Sequence, residues 1–201
     1  MSRPTPLRSD LALIASLIAQ GSRVLDLGCG TGALLRHIID HDRCTGTGVD
    51  TDPASVLVAI RSGVPLIELD VDTELDMFAA DSYDVVVLSR TLQTVRRPSA
   101  VLEQMARIAP RCIVSMPNFG YWRNRVRLAR GWMPMSKDLP YAWHDTPNIH
   151  HATLHELEDL FTGLGLTIAQ RIPLRPDGRP AKVPDALANL GSSSAVYVLT
   201  R

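Results

Sequence analysis

Nine residues near the N-terminus, Val24-Leu25-Asp26-Leu27-Gly28-Cys29-Gly30-Thr31-Gly32, constrain the fold more than any other stretch of the chain. An apolar run there meets a turn containing three glycines, and a second apolar run, Ala33-Leu34-Leu35, follows. Glycine accepts a positive φ and has no Cβ, so such a turn bends sharply and brings its amides close to a bound molecule. Strand, glycine turn and helix in that order are the context in which a glycine pattern carries meaning.

The spacing is not the dinucleotide pattern G-x-G-x-x-G, in which a pyrophosphate sits at the helix N-terminus. Here Gly28, Gly30 and Gly32 alternate, with Asp26 two residues ahead of them. This D-x-G-x-G-x-G form resembles motif I of the class I S-adenosylmethionine (SAM) methyltransferases. SAM carries no phosphates, so its site needs close backbone approach and a carboxylate near the cationic amino-acid end, the place expected for Asp26.

The alternation that follows predicts an α/β fold. Apolar residues at Leu11, Ile14, Leu17 and Ile18 mark a helix within Leu7–Ala19, with Gly21 as its stop. Strands are then expected at Val24–Leu27, Cys44–Val49, Pro65–Leu69, Tyr83–Leu88 and Cys112–Ser115, separated by helices at Leu34–Ile39, Ala54–Arg61 and Ala100–Ile108. Val85-Val86-Val87-Leu88 is continuously apolar, as a strand covered on both faces should be. A helix at His155–Leu164, a strand at Leu166–Arg171, a Pro/Gly-rich segment at Pro173–Pro184 and a last strand at Ala195–Leu199 complete the pattern. Alternating strands and helices argue a mostly parallel sheet flanked by helices. The count, five parallel-type strands and then a helix and two strands, fits the Rossmann-like seven-stranded sheet of the class I SAM-dependent methyltransferases, which implies that the last strand inserts antiparallel. Residues 117–150 break the rhythm. They hold all three tryptophans and form an irregular aromatic insertion in one domain spanning 1–201.

Composition narrows the setting. Lys and Arg balance Asp and Glu at 21 each, so overall charge draws the chain neither to nucleic acid nor to an anionic membrane. Met1–Pro6 has no apolar core of a signal peptide and no run reaches membrane-span length, which gives the expectation of a soluble, cytoplasmic protein. Cys29, Cys44 and Cys112 are odd in number and lack C-x-x-C spacing; they read as small core residues in a reducing compartment. His144, His150, His151 and His155 match no zinc spacing, and no metal is expected.

Candidate ligand residues lie where the parallel strands end. Asp50, followed by Thr51, stands twenty residues beyond the turn, where such folds place an acid on the ribose hydroxyls; Asp52 is the better cap for the helix opened by Pro53. By resemblance, Asp70 accepts from the adenine amine and Val71 packs on the ring, with Asp72 an alternative as a cap for a helix from Thr73. The exit at Leu88-Ser89-Arg90-Thr91-Leu92-Gln93 supplies a carbonyl and a small side chain, Ser89, to the methionine moiety. The expected cofactor contacts are therefore Asp26, Gly28, Cys29, Gly30, Asp50, Thr51, Asp70, Val71 and Ser89. That exit carries neither an N-P-P-Y type signature nor a histidine to act as a base. Arg123, Arg127 and Arg130 fall at helical spacing and serve either as a solvated helix face or as a surface for an acidic partner.

Three segments go further: Ser89-Arg90-Thr91-Leu92-Gln93, Val114-Ser115-Met116-Pro117-Asn118-Phe119-Gly120-Tyr121-Trp122-Arg123, and Leu139-Pro140-Tyr141-Ala142-Trp143-His144-Asp145-Thr146-Pro147-Asn148-Ile149-His150. Together with the glycine turn they closely resemble the MetW family of methionine biosynthesis proteins, over Arg8 to about Phe161. The family usually carries an acidic residue where this chain has Thr31. The resemblance implies a methyltransferase-like protein that binds SAM or S-adenosylhomocysteine and supports the homoserine O-acyltransferase MetX. No methyl acceptor is implied. Phe119, Tyr121, Trp122, Arg123, Tyr141 and Trp143 are the expected partner contacts, an aromatic and basic set suited to a protein interface. The alternative is an active methyltransferase on a small metabolite, for which residues 117–150 would be a substrate lid.

Overall fold

A computed structural model of the chain describes residues 7–201; Met1–Pro6, read above for the absence of a signal peptide, lie outside the described residues. Helix α1 (Ser9–Ser16) leads into β1 (Arg23–Leu27), α2 (Ala33–Asp42), β2 (Thr45–Asp50), α3 (Pro53–Arg61) and β3 (Leu66–Glu68). The chain then crosses to the other side of β1 for β4 (Val85–Ser89), α4 (Pro98–Ile108) and β5 (Arg111–Pro117). Helices α5 (Trp122–Ala129) and α6 (Leu154–Gly163) precede β6 (Thr167–Leu174), a short α7 (Ala188–Gly191) and β7 (Ser194–Thr200).

The strands form one sheet in the order β3-β2-β1-β4-β5-β7-β6. Five are parallel, and β7 inserts antiparallel between β5 and β6, so the sheet is parallel except for one antiparallel hairpin. Strand order reverses between β1 and β4, which opens a crevice at their carboxyl ends.

Alternation along each strand divides the core in two. Leu25, Leu27, Val86, Leu88, Val114 and Tyr197 pack on one face with Leu102 and Met105 of α4 and Phe161 of α6. Val24, Val85, Val87, Ile113 and Val198 pack on the other with Ile14, Leu35, Ile38 and Ala59 of α1, α2 and α3. Both faces are dry, which is why the apolar run at 85–88 lacks a polar alternate. The Asp52 carboxylate accepts from Ser55 N at 3.0 Å and Pro53 occupies the first turn, so α3 starts where the sequence places it.

Three departures have local causes. Strand β6 runs on through Pro173 to Leu174; it pairs only with β7, and an edge strand tolerates a residue without an N–H. Part of the stretch expected to be irregular is α5, whose helix covers Arg123 and Arg127 and leaves Arg130 as its C-cap. No helix opens at Thr73; a single turn of 3-10 helix forms at Leu75–Met77. Among the described residues no helix is long and apolar enough to cross a membrane.

The segment after β5 is fixed by one side chain. Asn118, 0% exposed, donates from Nδ2 to the carbonyls of Asn189 and Ser192 at 2.8 Å each. Its Oδ1 accepts from Gly120 N at 2.9 Å, and its carbonyl accepts from Asn124 Nδ2 at 3.1 Å. A Cβ on Gly120 would lie 2.7 Å from Asn189 Oδ1, so a larger residue there would displace the Asn189 side chain. We expect Asn118→Ala to lower unfolding stability by about 2–4 kcal/mol, since it strands several buried backbone groups; urea denaturation of the two forms measures it.

Candidate functional site

The glycine turn is stitched to β2. Gly28 N and Cys29 N both donate to Val49 O, at 2.7 and 3.0 Å. One turn onward, Gly30 N donates to Asp50 Oδ2 at 2.7 Å, while Asp52 N donates to Asp50 Oδ1 at 2.9 Å. Gly28, Gly30 and Gly32 have φ of +68°, +55° and +72°. Their surroundings differ. A Cβ on Gly28 would lie 2.6 Å from Thr91 Cγ2, one on Gly32 would press on Val64, and one on Gly30 would meet nothing within 4 Å. Gly28 thus closes the turn against the loop after β4, and Gly30 faces open space.

Beside this turn a cleft of about 270 Å³ is lined by Gly28, Asp50, Thr51, Asp70, Val71, Asp72, Thr91, Thr94 and Val95. It is slightly smaller than the range of about 300–1,000 Å³ usual for small-molecule sites. Five of the nine expected cofactor residues line it: Gly28, Asp50, Thr51, Asp70 and Val71. Asp26, Cys29, Gly30 and Ser89 do not line it. Cys29 turns its sulfur toward β2, where a Cβ on Gly48 would come within 2.6 Å of it. Burial pushes the Cys29 thiol far up, and that of Cys112 up to about 12, so neither is a nucleophile at neutral pH. Ser89 Oγ lies 3.1 Å from Ser115 Oγ, against β5.

The two acids at the end of β3 divide their work. Asp72 accepts from Arg96 N at 2.9 Å and Arg97 N at 3.0 Å, which anchors its loop to the start of α4 instead of capping a helix of its own. Asp70 Oδ1 accepts from Asp72 N at 2.9 Å, and its other carboxylate oxygen is engaged by no described residue. Asp50 and Asp70 both line the cleft, and Asp70 keeps a carboxylate oxygen that no described residue engages.

Asp26 lies beneath the turn, 3% exposed, and its carboxylate accepts no hydrogen bond from a described residue. Burial, with a smaller contribution from the Asp50 charge, pushes its pKa up to about 7. Such a group suits a site that takes a cationic ligand. These residues fit the donors and the ammonium of an adenosyl amino acid: acids for ribose and adenine, open space at Gly30, and a buried carboxylate lacking a partner.

The other expected set splits. Trp122, Tyr141 and Trp143 are exposed, Trp143 at 74%, alongside Trp132 at 69% and Met135, and Arg123 stacks over the Trp122 ring at 5.3 Å. Phe119 is half-buried against His151 at 4.9 Å. Tyr121 does not join this surface: it is buried, with its ring edge-on to Trp122. Sequence reasoning missed Thr94 and Val95 as cleft lining. It also missed the ion pairs of Arg90, with Asp10 of α1 and Asp138, because partners so distant leave no local pattern.

Comparison with known proteins places this geometry. A family model described as "Methionine biosynthesis protein MetW" matches residues 8–199. The bifunctional methionine biosynthesis protein MetXA/MetW of Rhodopirellula baltica is 32% identical over 97% of this chain, and the match spans only 33% of that relative's length. Among solved structures, the methyltransferase in complex with the Trm112 methyltransferase activator from Haloferax volcanii superposes with a TM-score of 0.70 at 20% identity, covering 96% of this chain and 89% of that one. An S-adenosylmethionine-dependent methyltransferase from Mesorhizobium loti gives 0.70 at 17% identity, covering 96% and 98%. The structural likenesses show the fold: a class I SAM-dependent methyltransferase architecture.

Two outcomes are expected. Gly28→Ala, which combines a positive φ with a steric clash, should destabilise the chain far more than Gly30→Ala, whose cost is the left-handed backbone alone, about 1–2 kcal/mol; thermal melts of both variants rank them. The Asp26 carboxyl has a pKa of about 7 when folded against an ordinary value of 3.8, so its contribution to stability is fully present below the lower value and is lost as pH rises through the upper one. Asp26→Asn should flatten that part of the stability profile, read by denaturation across the same pH range.

Proposed function

This chain belongs to the MetW family of methionine biosynthesis proteins, and on that premise we propose that it is a SAM- or S-adenosylhomocysteine-binding accessory subunit of a homoserine O-acyltransferase, MetX. The cleft supplies the ligand site: Asp50 toward ribose, Asp70 and Val71 toward adenine, Asp26 toward the ammonium, and the Gly28–Gly30 backbone in close approach. When bound, SAM would bring an electrophilic methyl group. The chain's own residues do something narrower. The only titratable side chains lining the cleft are Asp50, Asp70 and Asp72, and each already accepts backbone N–H bonds, which makes them anchors and weak candidates for a general base.

The observation that carries the accessory reading is the exposed aromatic band. Trp122, Trp132, Tyr141 and Trp143 stand in solvent on one segment, flanked by Arg123 and Arg130, and rings of this kind dominate binding energy at protein interfaces. The Rhodopirellula baltica relative, whose name joins MetXA to MetW, supports an acyltransferase as the partner. As an end product of that pathway, SAM is a sensible signal for the acyl transfer to read.

The methyltransferase-like neighbours favour a second reading, transfer to a small metabolite. One experiment separates the two. Acyltransferase activity is assayed with and without this chain across a SAM titration, and S-adenosylhomocysteine release is followed in parallel. The accessory reading expects complex formation, a SAM-dependent change in acyl transfer, and loss of affinity of about 30-fold or more in Trp143→Ala if that ring is an interface anchor. Acceptor-dependent release of S-adenosylhomocysteine with no association would establish the second reading instead.

A further inference from the structure

The loop after β4 has two sides. Thr91, Thr94 and Val95 line the cleft, and Thr91 packs onto Gly28. From the same loop Arg90 and Gln93 reach away from the cleft and hold residues 138–150, the segment that presents Tyr141, Trp143 and Ile149 to solvent.

Arg90 is the unusual member. It has φ +56°, a conformation that a side chain disfavours and that persists only where the surroundings over-determine it. Here they do. Its N–H donates to Ser115 O at 3.0 Å and is 3.1 Å from Ser115 Oγ, and its carbonyl accepts from Gln93 Nε2 at 2.6 Å. Its guanidinium pairs through Nε with Asp10 of α1 at 3.2 Å and through Nη2 with Asp138. Both aspartates are buried, at 4% and 5% exposed. Asp10 has a second cation, Arg8, with two bonds of 3.0 Å. Asp138 pairs with no described cation other than Arg90, so its buried charge is compensated only while the segment lies against this loop.

At the far end, Gln93 O accepts from Ile149 N at 2.9 Å and from His150 N at 3.1 Å. The fit there is incomplete. Gln93 Oε1 and His150 Nε2 are buried there without a described partner, and Asp138 Oδ2 is likewise unpaired at the Arg90 end. A joint anchored by a single compensated charge and carrying unpaired groups is one whose closed arrangement is held by little surplus, and so responds to the rigidity of the loop it closes on.

We propose that Arg90 is a positioning residue that latches residues 138–150 to the cofactor loop, so that ligand in the cleft controls how firmly the aromatic surface is held. This deepens the accessory reading and rests on it. Ligand contacts with Thr91 and Thr94 order the loop; the ordered loop fixes Arg90 and the Gln93 carbonyl; these fix the strap and with it Tyr141 and Trp143. By linkage, the partner that binds the held strap tightens the ligand by the same factor.

Hydrogen exchange on the full chain tests the latch, with and without S-adenosylhomocysteine, in the wild type, Asp138→Asn and Asp138→Ala, while calorimetry supplies ligand affinity. Asp138 lies outside the cleft, and its replacement removes a buried charge without leaving Arg90 unpaired, since Asp10 remains. In the wild type the ligand should slow exchange at 138–150 about tenfold, a typical coupling factor. Both variants should bind the ligand within about threefold of the wild type; strap exchange should no longer respond to it in Asp138→Ala and should respond only in part in Asp138→Asn, which keeps a hydrogen bond to Arg90. A purely structural ion pair would raise strap exchange equally with and without ligand and keep the response, which overturns the latch. Ligand binding to the wild type with no slowing overturns the latch and leaves the cofactor reading standing. Failure of the wild type to bind S-adenosylhomocysteine overturns both.

Discussion

The Asp50 carboxylate joins the glycine turn to the sheet, and the geometry of the cleft follows from that junction. One oxygen takes the Gly30 N–H and the other the Asp52 N–H, while Val49 beside it takes those of Gly28 and Cys29. Three amides that would otherwise be loose in a glycine loop, and the one that leads into α3, are thus held by the last two residues of a single strand. Charge-assisted bonds of this kind are stronger than neutral ones, and they set the turn before any ligand arrives. With the turn set, Gly28 closes on Thr91, the loop after β4 is placed, and everything tethered to that loop inherits its position.

Legibility in the sequence followed range. The strand at 85–88 was readable because burial on both faces leaves no polar alternate, and α3 because Asp52-Pro53 is a start signal spelled out in adjacent residues. The sheet's parallel character came from the same local logic, whereas its antiparallel last strand and the places of Asp70 and Val71 beside Gly28, Asp50 and Thr51 came from the resemblance to class I methyltransferases. What was not readable depends on partners far apart in the chain. Arg90 meets Asp138 across 48 residues, and Asn118 binds carbonyls 71 and 74 residues away; nothing near either side chain announces it. Tyr121 looked like its neighbours Trp122 and Arg123, and only the packing beneath α5 turns it inward. Pro173 suggested the end of a strand because a proline costs a ladder bond, a cost that disappears at an edge.

The fold alone does not choose between catalyst and sensor. A methyltransferase architecture hosts whatever chemistry its loops supply. In this chain the loops supply carboxylates already engaged by backbone amides, and a hydrophobic band that water would not normally be left to cover. The division of labour between Asp70 and Asp72 illustrates the point: two acids two residues apart, one left with acceptor capacity in the cleft and the other used to pin a helix.

The position of β7 has a consequence for how the molecule comes into being. Residues 194–200 sit between β5 and β6, so β6 has no neighbour until they arrive. The carbonyls that Asn118 binds, at Asn189, Ser192 and Ser193, belong to the same late stretch. During synthesis the five-stranded parallel half can assemble first, and the anchor beneath the aromatic segment closes only when these residues have cleared the ribosome. The surface that would engage a partner therefore matures only after that half of the sheet is in place.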